Sequence, residues 1–239
     1  MKYLKFICYG IYMIWVRIKG IKRDYLHKFK GEDIAWRYGQ EVFIKWSLFT
    51  IKIIGMDIRI EGKENIPDDT CVFMGNHQSI LDIPLLRYSI GRPVDFVAKH
   101  ELVKIPIMGY WITHLKSVAL NRENVREGMK AINTAIANIK AGYTFAVFPE
   151  GTRSKDGNIK EFKKGSIKLA TKAKVPIVPF ALNGTSACFE DTRNFIPGKI
   201  TIIFGEPLEV NNLSREEEKF LTEEVQGKVS ELYNKILKL

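Results

Sequence analysis

Two short segments carry the residue types that acid–base and anion chemistry require. The first is Gly75-Asn76-His77-Gln78-Ser79-Ile80-Leu81-Asp82. It follows an apolar run, which places it at a strand end where sites gather. In one continuous helix, positions five apart point about 140° away from each other. His77 and Asp82 therefore meet only if His77 lies in the turn and Asp82 in the first helical turn. Ser79 as N-cap and Pro84 early in the helix fit that placement. Asp82 could then bond one imidazole nitrogen and leave the other to accept a proton, as a general base must. A loop histidine beside an aspartate that only complements the helix dipole satisfies the same spacing.

The second segment is Phe148-Pro149-Glu150-Gly151-Thr152-Arg153-Ser154, again directly after an apolar run. Gly151 permits close backbone approach, and Thr152 and Arg153 supply donors suited to phosphate oxygens. Lys155, Lys160, Lys163 and Lys164 extend the positive field. An ordinary turn with a solvated basic loop fits these residues too. Third, Lys99 and Arg122 bracket a stretch holding Leu102, Pro106 and Gly109, and each cation lies at or just beyond an expected strand end. Fourth, Val175-Pro176-Ile177-Val178-Pro179-Phe180 reads either as an edge strand or as the wall of an apolar channel. The chain has no Gly-x-Gly-x-x-Gly, no P-loop, no His-Glu-x-x-His, no Cys/His cluster with metal spacing and no Gly-x-Ser-x-Gly elbow. Neither a nucleotide cofactor nor a metal is indicated.

The elements that must position these residues follow from hydrophobic periodicity. Short apolar runs at 57–61, 71–74, 94–98, 118–120, 144–148, 177–182 and 200–204 predict strands. Helical periods at 79–89, 107–114, 124–140, 163–173 and 214–239 alternate with them. The pattern predicts an α/β fold, a sandwich of helices around a largely central sheet. Two amphipathic helices, 3–18 and roughly 33–55, precede it, joined by a polar segment at 22–30. We expect a helical pair over 1–56 and an α/β domain over 57–239.

The 239 residues carry 37 Lys and Arg against 27 Asp and Glu, a net charge of +10 that favours anionic partners. Residues 1–60 hold twelve bases and five acids, so +7 of that charge lies in the first quarter. The longest apolar run, Phe6 to Val16, lies there as well. As helix it extends about 16 Å, roughly half a hydrocarbon core, too short to span simply. Arg17-Ile18-Lys19-Gly20 follows where a secretory signal needs small residues, so that reading fits poorly. Basic flanks with Trp, Tyr and Phe suit a helix lying in an anionic lipid interface; packing on the core, with the lysines as a solvated face, is the other reading. Three widely spaced cysteines, Cys8, Cys71 and Cys188, exclude a disulfide framework.

Taken in order, the four segments resemble the glycerolipid acyltransferase family, in particular its 1-acyl-glycerol-3-phosphate (lysophosphatidic acid) acyltransferase type. The resemblance covers roughly residues 57–205. It implies transfer of a fatty acyl group from a thioester, on acyl carrier protein or coenzyme A, to the sn-2 hydroxyl of lysophosphatidic acid, giving phosphatidic acid. It would make His77 the base and Asp82 its orienting partner. It would set Lys99, Arg122, Glu150, Gly151, Thr152 and Arg153 around the acceptor's glycerol phosphate, with no metal and no cofactor. The N-terminal pair is similar to the membrane-docking element of bacterial members. That implies a phospholipid surface as partner and a place at the cell membrane, peripheral or monotopic on the cytoplasmic face. Glycerol 3-phosphate or another lysophospholipid is the alternative acceptor, and a non-catalytic membrane-binding protein the alternative class. Nucleic acid is disfavoured, because the charge sits beside apolar aromatic runs.

Overall fold

Runs of β-branched and aromatic residues form the strands of a computed structural model that describes residues 2–154 and 156–239. Seven strands build one sheet: β1 (Met56–Glu61), β2 (Val72–Gly75), β3 (Asp95–Lys99), β4 (Val118–Leu120), β5 (Phe145–Val147), β6 (Ile177–Asn183) and β7 (Gly198–Phe204). Their order is β1-β7-β6-β2-β5-β3-β4. Strands β6, β2, β5, β3 and β4 run parallel, and β7 turns antiparallel to β6 with β1 parallel to β7. The parallel set brings the carboxyl ends of five strands to one edge, where sites form in open α/β sheets.

Both sheet faces are covered, as buried parallel strands require. On one face, Ala135 and Ile139 of α5 (Val125–Lys140), Leu169 of α6 (Lys168–Ala173) and Val225 of α7 (Arg215–Leu237) close a core over β2, β5 and β6. On the other, Ile54 of α2 (Glu32–Ile54) and Leu85 and Leu86 of α3 (Asp82–Ile90) pack against Phe73, Val178 and Phe180. The expected α/β sandwich is the observed architecture. Capping is local: Asn124 accepts from Glu127 N ahead of α5, and Ser214 with Glu217 forms a capping box ahead of α7.

Three expectations are corrected. The segment 22–30 is helix, not a polar joint: α1 runs from Lys2 to Lys30 and breaks only at Gly31. Its lysines hide the period, while Arg23 turns inward, buried, towards Asp24 and Glu32, and Tyr25 and Phe29 continue the outer apolar stripe. The proline-rich strand β6 is interior, between β7 and β2, and Pro179 lies outside the cavity described below. Ile177 and Leu208 exchange both backbone bonds, and Gly205 N donates to Pro179 O, so the proline's missing N–H faces the point where β7 has already left the sheet. Helix α6 starts at Lys168 rather than 163, because Lys163 N donates to Pro149 O and holds the preceding turn against the second segment. Lys155 lies outside the described residues.

Helix α1 packs on α2 through aromatic contacts. Tyr12 stacks on Phe49 at 3.7 Å between centroids, and Trp46 Nε1 donates to Tyr9 OH at 3.0 Å. Its outer face stays apolar and uncovered among the described residues: Leu4, Ile7, Ile11, Ile14, Ile18, Ile21, Tyr25 and Phe29 are all exposed. Their three- and four-residue spacing makes one stripe from Leu4 to Phe29, about 39 Å of helix. No described helix is long and apolar enough to cross a membrane.

Candidate active site

The chain leaves β2 at Gly75 and turns through Asn76 into His77. The Asn76 side chain prolongs the ladder, donating to Leu182 O and accepting from Leu182 N, each at 2.9 Å. His77 O accepts from Ser154 N at 2.7 Å, and His77 N donates to Glu150 Oε1 at 2.8 Å. The imidazole stacks on Phe148, with centroids 3.9 Å apart and planes 14° apart. Both the backbone and the ring of His77 are thus set by the segment that follows β5.

Asp82 opens α3, as the sequence spacing requires, but the cap is Leu81 rather than Ser79. Ser79 Oγ instead accepts from Leu81 N, and the Asp82 carboxylate itself takes the loop's amides. Its Oδ2 accepts from His77 Nδ1 at 2.7 Å, Gln78 N at 2.7 Å and Ser79 N at 2.9 Å. Its Oδ1 accepts from Thr185 Oγ1 at 2.5 Å. Four charge-assisted bonds offset the cost of enclosing a carboxylate that is 0% exposed. A carboxylate only accepts, so Nδ1 carries the ring proton and the lone pair lies on Nε2. Nε2 makes no hydrogen bond among the described residues.

His77 lines a cavity of about 420 Å³. Lys99, Arg122, Gly151, Thr152 and Arg153 line the same cavity. Most of the remaining wall is apolar, including Met13 and Val16 of α1, Trp46 of α2, and Met108 and Ile112 of α4 (Pro106–His114). Lys99 pairs with Glu101 at 2.7 Å, and Arg122 Nη1 donates to Gly151 O. Gly151 has φ +71°, and a Cβ there would lie 3.0 Å from Lys163 Cε and 3.4 Å from Arg122 Cζ, so the bare backbone leaves room for Lys163 and Arg122. Arg153 Nη1 meets Glu190 Oε1 at 2.5 Å, and that oxygen also accepts from Ile80 N at 3.1 Å.

The structure brings seven of the eight expected residues to the cavity or the His77 ring, and Glu150 stands apart. Its carboxylate is 3% exposed, does not line the cavity, and accepts from His77 N and Lys160 N. Burial pushes it above the usual carboxylate range, against the downward pull of those two backbone donors and of the Lys160 charge. Beside a phosphate it would repel; where it sits, it ties two loops together. Sequence reasoning missed Thr185 and Glu190, which follow β6. No spacing signals them, because their partners lie 103 and 110 residues away.

The acyltransferase family model matches residues 57–183, over half of the chain. The chain belongs to the acyltransferase family. It is 34% identical over 179 residues to the chloroplastic 1-acyl-sn-glycerol-3-phosphate acyltransferase BAT2 of Brassica napus, covering 73% of this chain and 50% of that one. Against the 1-acyl-sn-glycerol-3-phosphate acyltransferase of Borreliella burgdorferi it is 34% identical over 188 residues, 78% of this chain and 74% of the relative. The chain thus spans half the length of the first relative and about three quarters of the second. The crystal structure of the 1-acyl-sn-glycerophosphate (LPA) acyltransferase, PlsC, from Thermotoga maritima superposes with a TM-score of 0.78 at 33% identity, over 96% of this chain and 95% of that chain.

Proposed function

We propose that this acyltransferase moves a fatty acyl group from a thioester to the sn-2 hydroxyl of 1-acyl-glycerol-3-phosphate, forming phosphatidic acid in phospholipid biosynthesis. One observation carries the reading: a carboxylate-held imidazole lines a largely apolar cavity together with Arg122, Arg153 and Lys99. The cations hold the acceptor's phosphate and the apolar wall takes an acyl chain. Nε2 of His77 takes the hydroxyl proton as the oxygen attacks the thioester carbonyl. The tetrahedral intermediate then collapses, the C–S bond breaks, and the imidazolium returns the proton to the departing sulfur. General-base assistance of this kind is worth about 10²–10⁴ in rate. Holding hydroxyl and thioester together supplies much of the rest without a covalent acyl-enzyme. Glu150 acts behind this machinery, fixing the His77 backbone. The donor is acyl carrier protein or acyl-coenzyme A, both acidic carriers suited to a chain of charge +10.

The stripe on α1 is the docking surface for a phospholipid membrane, and the helical pair 1–56 is the docking unit ahead of the α/β domain 57–239. An interfacial helix needs an apolar face with cations beside it, and exposed Lys22 and Lys28 accompany the stripe. Met13 and Val16 of the same helix wall the cavity, so a lipid chain passes from the bilayer into the site along α1. The protein is accordingly peripheral or monotopic, on the cytoplasmic membrane face.

The test is acyl transfer by the purified full chain on anionic phospholipid vesicles. Lysophosphatidic acid, glycerol 3-phosphate and lysophosphatidylcholine are each offered with both thioester donors, and vesicle flotation is run in parallel. Turnover of lysophosphatidic acid that disappears in His77→Ala supports the proposal. Turnover of only another acceptor replaces the substrate, and flotation without any turnover favours a non-catalytic membrane-binding protein.

A further inference from the structure

The Asp82 carboxylate is held from two directions. Oδ2 collects its three donors from the loop 77–79, while Oδ1 faces the other way and receives the Thr185 hydroxyl. Among the described residues no other group bonds Oδ1. Thr185 is 0% exposed and lies just beyond β6. The chain reaches Asp82 through a turn that only glycine makes without strain. Gly184 has φ +104°, and a Cβ on it would fall 2.3 Å from Lys199 O. This turn is also pinned to the loop it serves. Gln78 Nε2 donates to Asn183 Oδ1 at 3.1 Å, and Gly184 N donates to Gln78 Oε1 at 3.2 Å.

The last torsion of an aspartate is broad and two-fold, so its carboxyl plane is set by partners rather than by the covalent chain. With Thr185 in place, one rotation satisfies all four bonds. Without the hydroxyl, Oδ1 becomes an unpaired acceptor in a closed site. The carboxyl then turns towards the loop amides at the expense of the His77 bond. We propose that Thr185 is a positioning residue: its hydroxyl locks the Asp82 carboxylate in the rotation that keeps His77 protonated on Nδ1 and open on Nε2. The inference rests on the reading of His77 as the general base of acyl transfer, and it adds a residue outside the four sequence segments.

The test uses the full chain in lipid nanodiscs with two readouts. Nitrogen-15 correlation spectra of labelled histidine report the His77 tautomer without any turnover, and steady-state kinetics give kcat and KM separately. Wild type is expected to show a single Nδ1–H form. Thr185→Val, isosteric but without the hydroxyl, is expected to mix the tautomers. It should lower kcat about ten- to a hundredfold, part of the general-base factor, with KM for lysophosphatidic acid changed less than about twofold. Thr185→Ser, which keeps the hydroxyl, is expected to restore the tautomer and bring kcat within about threefold of wild type. A valine variant with wild-type tautomer and kcat would overturn the proposal. So would a serine variant as impaired as valine, since the methyl group would then be what matters. If the valine variant does not fold, Thr185→Ala provides the same contrast with serine. A wild type that turns over no acceptor, yet shows the tautomer contrast, would uphold the positioning and overturn acyl transfer.

Discussion

Asp82 and Asp95 lie at opposite edges of the sheet, one beyond the carboxyl end of β2, the other at the start of β3. Both are completely buried, and both accept four hydrogen bonds. Asp95 receives Trp36 Nε1 and Gln40 Nε2 on one oxygen, and Lys116 N and Ser117 Oγ on the other. Those donors fasten α2 and the entry to β4 onto β3, so the carboxylate is a rivet. Burial drives it up to about 6, against the pull of Trp36, Ser117 and Lys116. Asp82 spends one of its four bonds on the imidazole of His77, a residue that lines the cavity. Burial and hydrogen-bond number are therefore the same at both carboxylates. What separates them is that only Asp82 holds an imidazole, and that imidazole lines the cavity.

The contrast breaks first at His77. His77→Ala is expected to lower acyl-transfer turnover by about 10²–10⁴ while leaving the thermal midpoint and vesicle flotation unchanged. Near-normal turnover would remove the chemical role from the Asp82 end. The Asp95 end is tested by stability against pH. Its folded value of about 6 lies above the unfolded aspartate value of about 3.9, so the folded state holds the proton more tightly. The stability this gives is complete below the unfolded value and is lost as pH rises through the folded one. Unfolding free energies of wild type minus Asp95→Asn should therefore fall by about 2 kcal/mol between pH 4 and 7. A difference that stays flat would mean that Asp95 does not titrate in this window.

Two smaller effects sharpen the comparison by leaving both carboxylates untouched. Replacing Ile11, Ile14 and Ile18 together by serine should weaken flotation with anionic vesicles by more than about tenfold, since these side chains are exposed before docking. The melting temperature should not drop; a drop would turn the stripe into a packing face. Arg153→Ala should raise KM for lysophosphatidic acid about tenfold with little change in kcat, because the guanidinium is 42% exposed and binds charge rather than moving a proton. If the variant still discriminates against a dephosphorylated acceptor as well as wild type does, Arg153 does not hold the phosphate.

Much of the frame could be read from local pattern. All seven strands appear within a few residues of their expected places, because alternation and β-branched content act over neighbours alone. The 22–30 segment shows the limit of that reasoning: lysines on the solvent side masked a helical stripe that needs α2 beneath it. The helical period at 124–140 is only half used: Val125 and Met129 are exposed, because the core below α5 reaches only its second half.

The site divides in the same way. His77 and Asp82 were legible because five residues across a strand-to-helix turn bring them together with little help from the rest of the chain. The Gly151–Arg153 turn was legible because glycine and arginine state their backbone and charge preferences in any context. The inward turn of Glu150, the stacking of Phe148 on the imidazole, and the reach of Thr185 to Asp82 arise only from folding. Each joins strand ends that are adjacent solely because β6, β2 and β5 pair side by side. Pairing between parallel strands is non-local, so neighbours along the chain carry no trace of which distant hydroxyl or carboxylate will arrive beside them.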